Sequence, residues 1–209
     1  MPDHSNTFNF RVALNTRERT NSLLAKCKSL PEAIQARINQ RKLSHDKAAR
    51  IQAWLLLREY IEAQGLNHDT LFANIRFSAQ GKPNFGLSEP PFYFNFSYAC
   101  DMVICAISHS NDIGVDIEKI MPFDFKALSI YFSTAEQHFM KEALNPAKAF
   151  YTLWTKKEAL LKCTGDGITI KDLTSIEVLQ NNLVHLHRLY NFYSIDIDNS
   201  YAAHVCMKL

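Results

Sequence analysis

Apolar and polar residues alternate near the start of the chain: Phe8, Phe10, Val12 and Leu14 stand two apart, which predicts a strand. The period then lengthens. Residues 17–30 predict a helix, and Pro31-Glu32 opens a second. Ile51, Trp54, Leu55, Arg58 and Ile61 mark a stronger third helix over about 46–63, with Ser44 or Asp46 placed to cap it and Gly65 to end it. Short strands are expected at 71–77, 91–96 and 102–108, separated by Gly81-Lys82-Pro83 and Ala99-Cys100-Asp101. Ile113, Val115 and Ile117 then alternate with Gly114, Asp116 and Glu118, a strand that puts both carboxylates on one face. Ser133 and Glu136 have capping-box spacing, and Pro146 opens a helix through Lys162 that Thr164-Gly165-Asp166-Gly167 closes. The remainder predicts strands at 175–179, 183–189, 192–197 and 202–207.

The order of elements repeats. Each half has a long helix with a central Trp, a Gly at its end and strands behind it. Trp54 and Trp154 are 100 residues apart, as are Gly65 and Gly165. Ser97-Tyr98-Ala99-Cys100 resembles Ser200-Tyr201-Ala202-Ala203, each before a strand with Val and Cys. The fold class expected is α+β: two similar α/β lobes forming a pseudo-dimer, each with a small, mostly antiparallel sheet on a long helix. The lobes are expected at 1–110 and 111–209, with a ligand cleft between them.

Composition narrows the class. At 209 residues and 47% hydrophobic, the chain has enough apolar side chains for a substantial core. A net charge of +2 gives no argument for nucleic acid as a partner. The five cysteines form no C-x-x-C pair and suit a reducing compartment. The polar N-terminus lacks the apolar stretch of a secretory signal, and no window approaches eighteen consecutive apolar residues. A cytoplasmic protein with no membrane partner is expected.

For Asp116 and Glu118, local spacing alone favours carboxylates shown to water from an exposed sheet face. Gly114 tilts the balance, because glycine inside a strand admits a close approach to the backbone. A magnesium ion takes one or two carboxylates plus phosphate oxygens and waters, and an Asp-x-Glu strand suits it. Glu158 and Lys162, at i and i+4, form either a surface ion pair or a third carboxylate beside a phosphate-binding cation. Lys156 and Lys157 are open in the same way. Gly81-Lys82-Pro83 is a turn with a cation at its tip. His185 and His187 have no further ligand near them in sequence and are expected to be exposed. No G-x-x-x-x-G-K-[ST], G-x-S-x-G or G-x-G-x-x-G is present.

Taken together, five ordered segments resemble one family. Gly114-Val115-Asp116-Ile117-Glu118, Phe132-Ser133-Thr134-Ala135-Glu136 and the run Trp154-Thr155-Lys156-Lys157-Glu158-Ala159-Leu160-Leu161-Lys162 look like the three signatures of 4′-phosphopantetheinyl transferases. Ile75-Arg76-Phe77 with Gly81-Lys82-Pro83, and Phe94-Asn95-Phe96-Ser97, look like the extra motifs of the larger two-lobed class, which activates peptide and polyketide synthetases. The resemblance covers roughly residues 45–170.

It implies transfer of phosphopantetheine from coenzyme A to a serine of an apo acyl or peptidyl carrier protein, releasing adenosine 3′,5′-bisphosphate. Asp116, Glu118 and Glu158 would hold Mg2+ against the pyrophosphate, and Glu158 would be the base for the carrier serine. Glu136 matches the acidic residue of the middle motif, as a catalytic group or only as the helix cap. Lys157 and Lys162 would face the phosphates. Lys82, Pro83 and Arg76 would lie at the adenine and ribose end, and Ser97 and Tyr98 at the 3′-phosphate. Tyr98 departs from the family's usual histidine, which implies weaker or rearranged recognition there, with Arg50 or His45 compensating. Lys126, Lys141 and Lys148 with Phe123, Phe125 and Met140 would form the carrier surface of a monomeric protein. A magnesium-dependent pyrophosphate hydrolase and a non-catalytic carrier-binding paralogue are the alternatives.

Overall fold

The computed structural model describes residues 8–14, 19–122, 124–165 and 170–209, and at 125, 126 and 170–172 the backbone alone. Arg17, Phe123, Asp166 and Gly167, and the side chains of Phe125 and Lys126, lie outside the described residues.

The N-terminal half runs β1 (Phe8–Leu14), α1 (Thr20–Lys26), α2 (Glu32–Asn39), α3 (Ser44–Ala63), α4 (His68–Ala73), β2 (Arg76–Phe77), β3 (Pro83–Asn84), β4 (Tyr93–Ala99) and β5 (Met102–Ser108). The C-terminal half runs β6 (Ile113–Lys119), α5 (Phe125–Leu128), α6 (Thr134–Glu142), α7 (Pro146–Thr164), α8 (Ile170–Ser175), β7 (Asn182–His185), β8 (Arg188–Ser194) and β9 (Tyr201–Lys208). The expected α+β class holds, and every sheet pairing among the described residues is antiparallel. One sheet has the order β1-β5-β4, another β6-β9-β8-β7, and β2 and β3 form a hairpin.

Strand period two sorts the core into layers. Val103, Cys105 and Ile107 of β5 pack with Trp54, Leu57 and Ile61 of α3. Ile104 and Ala106 point the other way, against Ile113, Val115 and Ile117 of β6 and Val205 and Met207 of β9. The far face of the second sheet carries Tyr190, Phe192 and Cys206 against Leu153, Leu160 and Cys163 of α7. Both long helices end at a left-handed glycine, Gly65 at φ 71° and Gly165 at φ 75°. No β-carbon would be crowded at either turn, and the positive φ is what requires glycine there.

Several expectations are corrected. The expected strand at 71–77 is mostly α4, because the Asn67 side chain accepts from Thr70 N–H and caps a helix there. Neither Ser44 nor Asp46 caps α3, whose N-cap is Leu43. At 175–179 Ile176 and Val178 are buried as strand alternation predicts, but Val178 N–H goes to Glu136 Oε1 at 2.9 Å rather than to a sheet partner. The run 183–189 is broken by a two-residue turn with Leu186 at φ 50° and His187 at φ 61°, values the sequence does not advertise because no glycine is used. The capping box of α6 is present, and Asn145 with Pro146 opens α7.

Gly114 answers to packing. A β-carbon there would lie 2.0 Å from Ala159 O and 2.4 Å from Cys163 N, so the group that approaches the strand is the backbone of α7. That contact seats α7 on β6 and brings Glu158 and Lys162 over Asp116 and Glu118.

Candidate active site

The edges of the two sheets meet through side chains. Val115 N–H donates to Asn95 Oδ1 at 3.0 Å and Ile117 N–H to Ser97 Oγ at 3.3 Å, so β4 and β6 run side by side in step. Side chains bridge these strands in place of a backbone ladder, and Ser97 meets Asp116 there.

Asp116 is buried at 4% exposure. Its Oδ1 accepts from Lys162 Nζ at 2.6 Å and from Ser97 Oγ at 2.9 Å. Burial first, then the Asp116 charge and that of Glu158, push the Glu118 carboxyl up to about 7, against the opposing effects of Lys162 and a hydrogen bond with Trp154. Burial and Asp116 also raise Glu158. Three carboxylates therefore share one neighbourhood with one ammonium, a set that a divalent cation would relieve.

Beside them opens a cavity of about 410 Å³. Its wall carries Arg37, Arg41, Arg50, Lys82 and Lys162 against one carboxylate among the described residues, Glu158, with Trp54, Phe77 and Phe96 as apolar surface. Such a surplus of cations suits a multiply charged anion. The Arg37 guanidinium lies 4.0 Å over the Phe77 ring and that of Arg50 4.8 Å over Tyr98. Burial pushes the Tyr98 phenol up to about 12 despite Arg50, so it remains a neutral donor. Among the described residues, two buried side-chain atoms lack a hydrogen-bond partner: Arg50 Nε and Asp116 Oδ2. One belongs to a residue of the cation-rich wall and the other to a carboxylate among repelling acids.

The structure thus brings Asp116, Glu118, Glu158, Lys162 and Ser97 together, and Lys82, Pro83 and Tyr98 line the adjoining cavity. Lys82 Nζ is held by Cys163 O at 2.8 Å and by Asp112 at 3.3 Å, which ties the β2–β3 hairpin to the end of α7. Three expected residues stand elsewhere. Arg76 is exposed and folds back on its own backbone, donating to Ile75 O at 2.9 Å. Lys157 and Glu136 form a fully buried ion pair at 2.8 Å, and neither lines the cavity. Lys157 Nζ also donates to the carbonyls of Leu173 and Ile176, while Glu136 takes the N–H groups of Ser133 and Val178. Their position is that of a pin between α6, α7 and the segment after α8, not of a phosphate ligand and a catalytic acid. Lys156, open as a solvated lysine, is buried and donates to Val178 O, Gln180 O and Asn181 Oδ1. His45 pairs with Asp46 away from the wall, whereas Arg50 does face Tyr98. Met140 is fully buried, so it belongs to no docking surface.

Arg37 and Arg41 belong to none of the sequence motifs. The signal for them is a concentration of base (Arg37, Arg41, Lys42, Lys47 and Arg50) in a chain of net charge only +2.

Among the described residues no three His, Cys, Asp or Glu side chains already stand in a ligating cluster. The carboxylates nevertheless fit a magnesium ion that takes part of its shell from phosphate and water, because Asp116 Oδ2 is buried without a partner. No helix among the described residues is long and apolar enough to cross a membrane.

The fold is mixed α+β with acidic residues beside a cationic cleft, and comparison with known sequences shows what it resembles. Residues 112–206 match the model of the 4′-phosphopantetheinyl transferase superfamily. The chain is 32% identical to the 4′-phosphopantetheinyl transferase Sfp of Bacillus subtilis over 144 residues, 64% of this chain and 63% of the relative. It is 33% identical to the transferase HetI of Nostoc sp., over 49% of this chain and 45% of the relative. With gsp of Aneurinibacillus migulanus it shares 33% identity, over 56% and 48%. The chain is thus similar to 4′-phosphopantetheinyl transferases over part of its length, and the matches span about half to under two thirds of those proteins' own length.

Proposed function

We propose that the cleft binds coenzyme A and that the protein transfers its 4′-phosphopantetheine group to a serine of an apo acyl or peptidyl carrier protein. The observation that carries this reading is the pair of orphaned atoms, Arg50 Nε on the cationic wall and Asp116 Oδ2 among the carboxylates. An anion and a cation bound side by side satisfy both.

In this reading Arg37, Arg41, Arg50 and Lys82 take the phosphates of coenzyme A and Lys162 the pyrophosphate, while Asp116, Glu118 and Glu158 hold Mg2+. Held by these carboxylates, Mg2+ would supply charge neutralisation for the pyrophosphate. Glu158, raised by burial and Asp116, accepts the proton of the carrier serine. The serine oxygen bonds to the phosphorus that bears pantetheine, the bridging P–O bond breaks, and adenosine 3′,5′-bisphosphate leaves with its electron pair. A general base of this kind is worth roughly 10²–10⁴-fold.

Two halves, each a sheet with a long helix, would form the pseudo-dimer within a single cytoplasmic chain. The carrier would dock on exposed Met121, Ile130, Phe139 and Leu144, with Lys141 and Lys148 facing its acidic surface. Incubation with coenzyme A and Mg2+, with and without an apo carrier, tests the reading through bisphosphate release. Release that requires the carrier is expected. Release without it would mark a hydrolase, and none in either case a binding protein that does no chemistry.

A further inference from the structure

Ser97 sits between Phe96 and Tyr98, both of which line the cavity, yet its own side chain turns to β6 and is 2% exposed. Three groups surround its hydroxyl: Asp116 Oδ1 at 2.9 Å, Lys162 Nζ at 3.0 Å and Ile117 N at 3.3 Å. An amide N–H and an ammonium can only donate, so the hydroxyl accepts from both. An ionised carboxylate can only accept, so the single hydroxyl proton goes to Asp116. One proton and two lone pairs are then fully used, and nothing is left to donate to a phosphate.

Asp116 shows the complement. Lys162 and Ser97 both bind Oδ1, and Oδ2 is buried without a partner. Two contacts on one oxygen fix the plane and rotation of the carboxylate and leave the second oxygen to something the chain does not supply. We infer that Ser97 is a positioning residue for Asp116, holding it by Oδ1 so that Oδ2 is presented to a divalent cation, rather than a contact for the 3′-phosphate of coenzyme A. The inference rests on the reading proposed above and assigns Ser97 to its cation half. It also makes the β4 edge part of the cation site, since Ser97 clamps the Ile117 N–H of the strand that bears both Asp116 and Glu118.

The test uses the full chain and Mn2+, a hard oxygen-binding cation that electron paramagnetic resonance detects. Affinity is measured without substrate for Ser97→Ala, Ser97→Cys and Ser97→Thr. Losing the hydroxyl in the alanine variant, or replacing it by the weakly bonding thiol, should weaken Mn2+ roughly 10–100-fold, as other outer-shell losses do. Threonine keeps the hydroxyl and should restore the affinity. If the alanine variant does not fold, the cysteine–threonine comparison carries the test.

In a second arm, with the cation chelated, the ratio of affinities for coenzyme A and 3′-dephospho-coenzyme A should match wild type in every variant. Unchanged Mn2+ affinity in Ser97→Ala and Ser97→Cys overturns the inference, as does a ratio that falls toward one. A wild type that binds neither Mn2+ nor coenzyme A overturns the underlying reading instead.

Discussion

Asp116 is held by one oxygen and free at the other, and the acids around it are charged at a cost that a cation would remove. Glu158 is the sharpest probe of that arrangement. Glu158→Gln keeps shape and removes charge, so transfer should fall by at least about 10²-fold and cation affinity should drop with it. Normal turnover by this variant would remove Glu158 from the mechanism.

Glu118 gives a pH signature. Its folded value near 7 lies above its ordinary 4.5, so the folded state holds the proton more tightly than the unfolded chain. The stability it contributes is complete below 4.5 and is lost as pH rises through 7. Without divalent cation, the melting temperature of wild type should therefore fall relative to Glu118→Gln across that window. Mg2+ should raise the melting temperature of wild type more at about pH 8 than at about pH 5. Equal Mg2+ increments at both would contradict the shared-charge account.

Lys157 shows what sequence could not disclose. Flanked by Lys156 and Glu158, it looks solvated by spacing alone, yet it is fully buried on Glu136. Lys157→Met should cost about 3–5 kcal/mol in urea unfolding, because it strands a buried carboxylate. A loss under about 1 kcal/mol would mean the pair is solvated.

At the scale of elements, α7 is the organising piece. Its N-terminus was legible from Pro146 and its end from Gly165, while Gly114 marked a close approach to β6 whose partner proved to be the backbone of α7. Gly114→Ala places a methyl group 2.0 Å from Ala159 O and 2.4 Å from Cys163 N, backbone atoms that cannot yield singly. A loss of about 3 kcal/mol or more is expected from the shift of the urea midpoint, at the upper end of overpacking costs. An unchanged midpoint would show that α7 does not press on the strand. Less legible were α4, nucleated by the Asn67 side chain, and the Leu186-His187 turn, which uses positive φ without glycine. In both, a local backbone preference outweighed the strand-like run of side chains around it.

Across the whole molecule, period two on β5, β6 and β9 placed the buried layers, and the paired acids on β6 pointed to the site. The cationic wall was not legible. Arg37, Arg41, Arg50 and Lys82 come from separate elements of the N-terminal half and meet only when the hairpin Lys82 reaches the end of α7. Net charge near zero hides a local surplus of this kind. In the proposed reading, that wall and the carboxylates of the C-terminal half form one site for one substrate. Intact mass spectrometry of an apo carrier protein, after incubation with this protein, coenzyme A and Mg2+, tests the claim most directly. The account predicts a mass gain of one phosphopantetheine on the carrier's serine, dependent on Mg2+, and a carrier that keeps its mass under those conditions would contradict it.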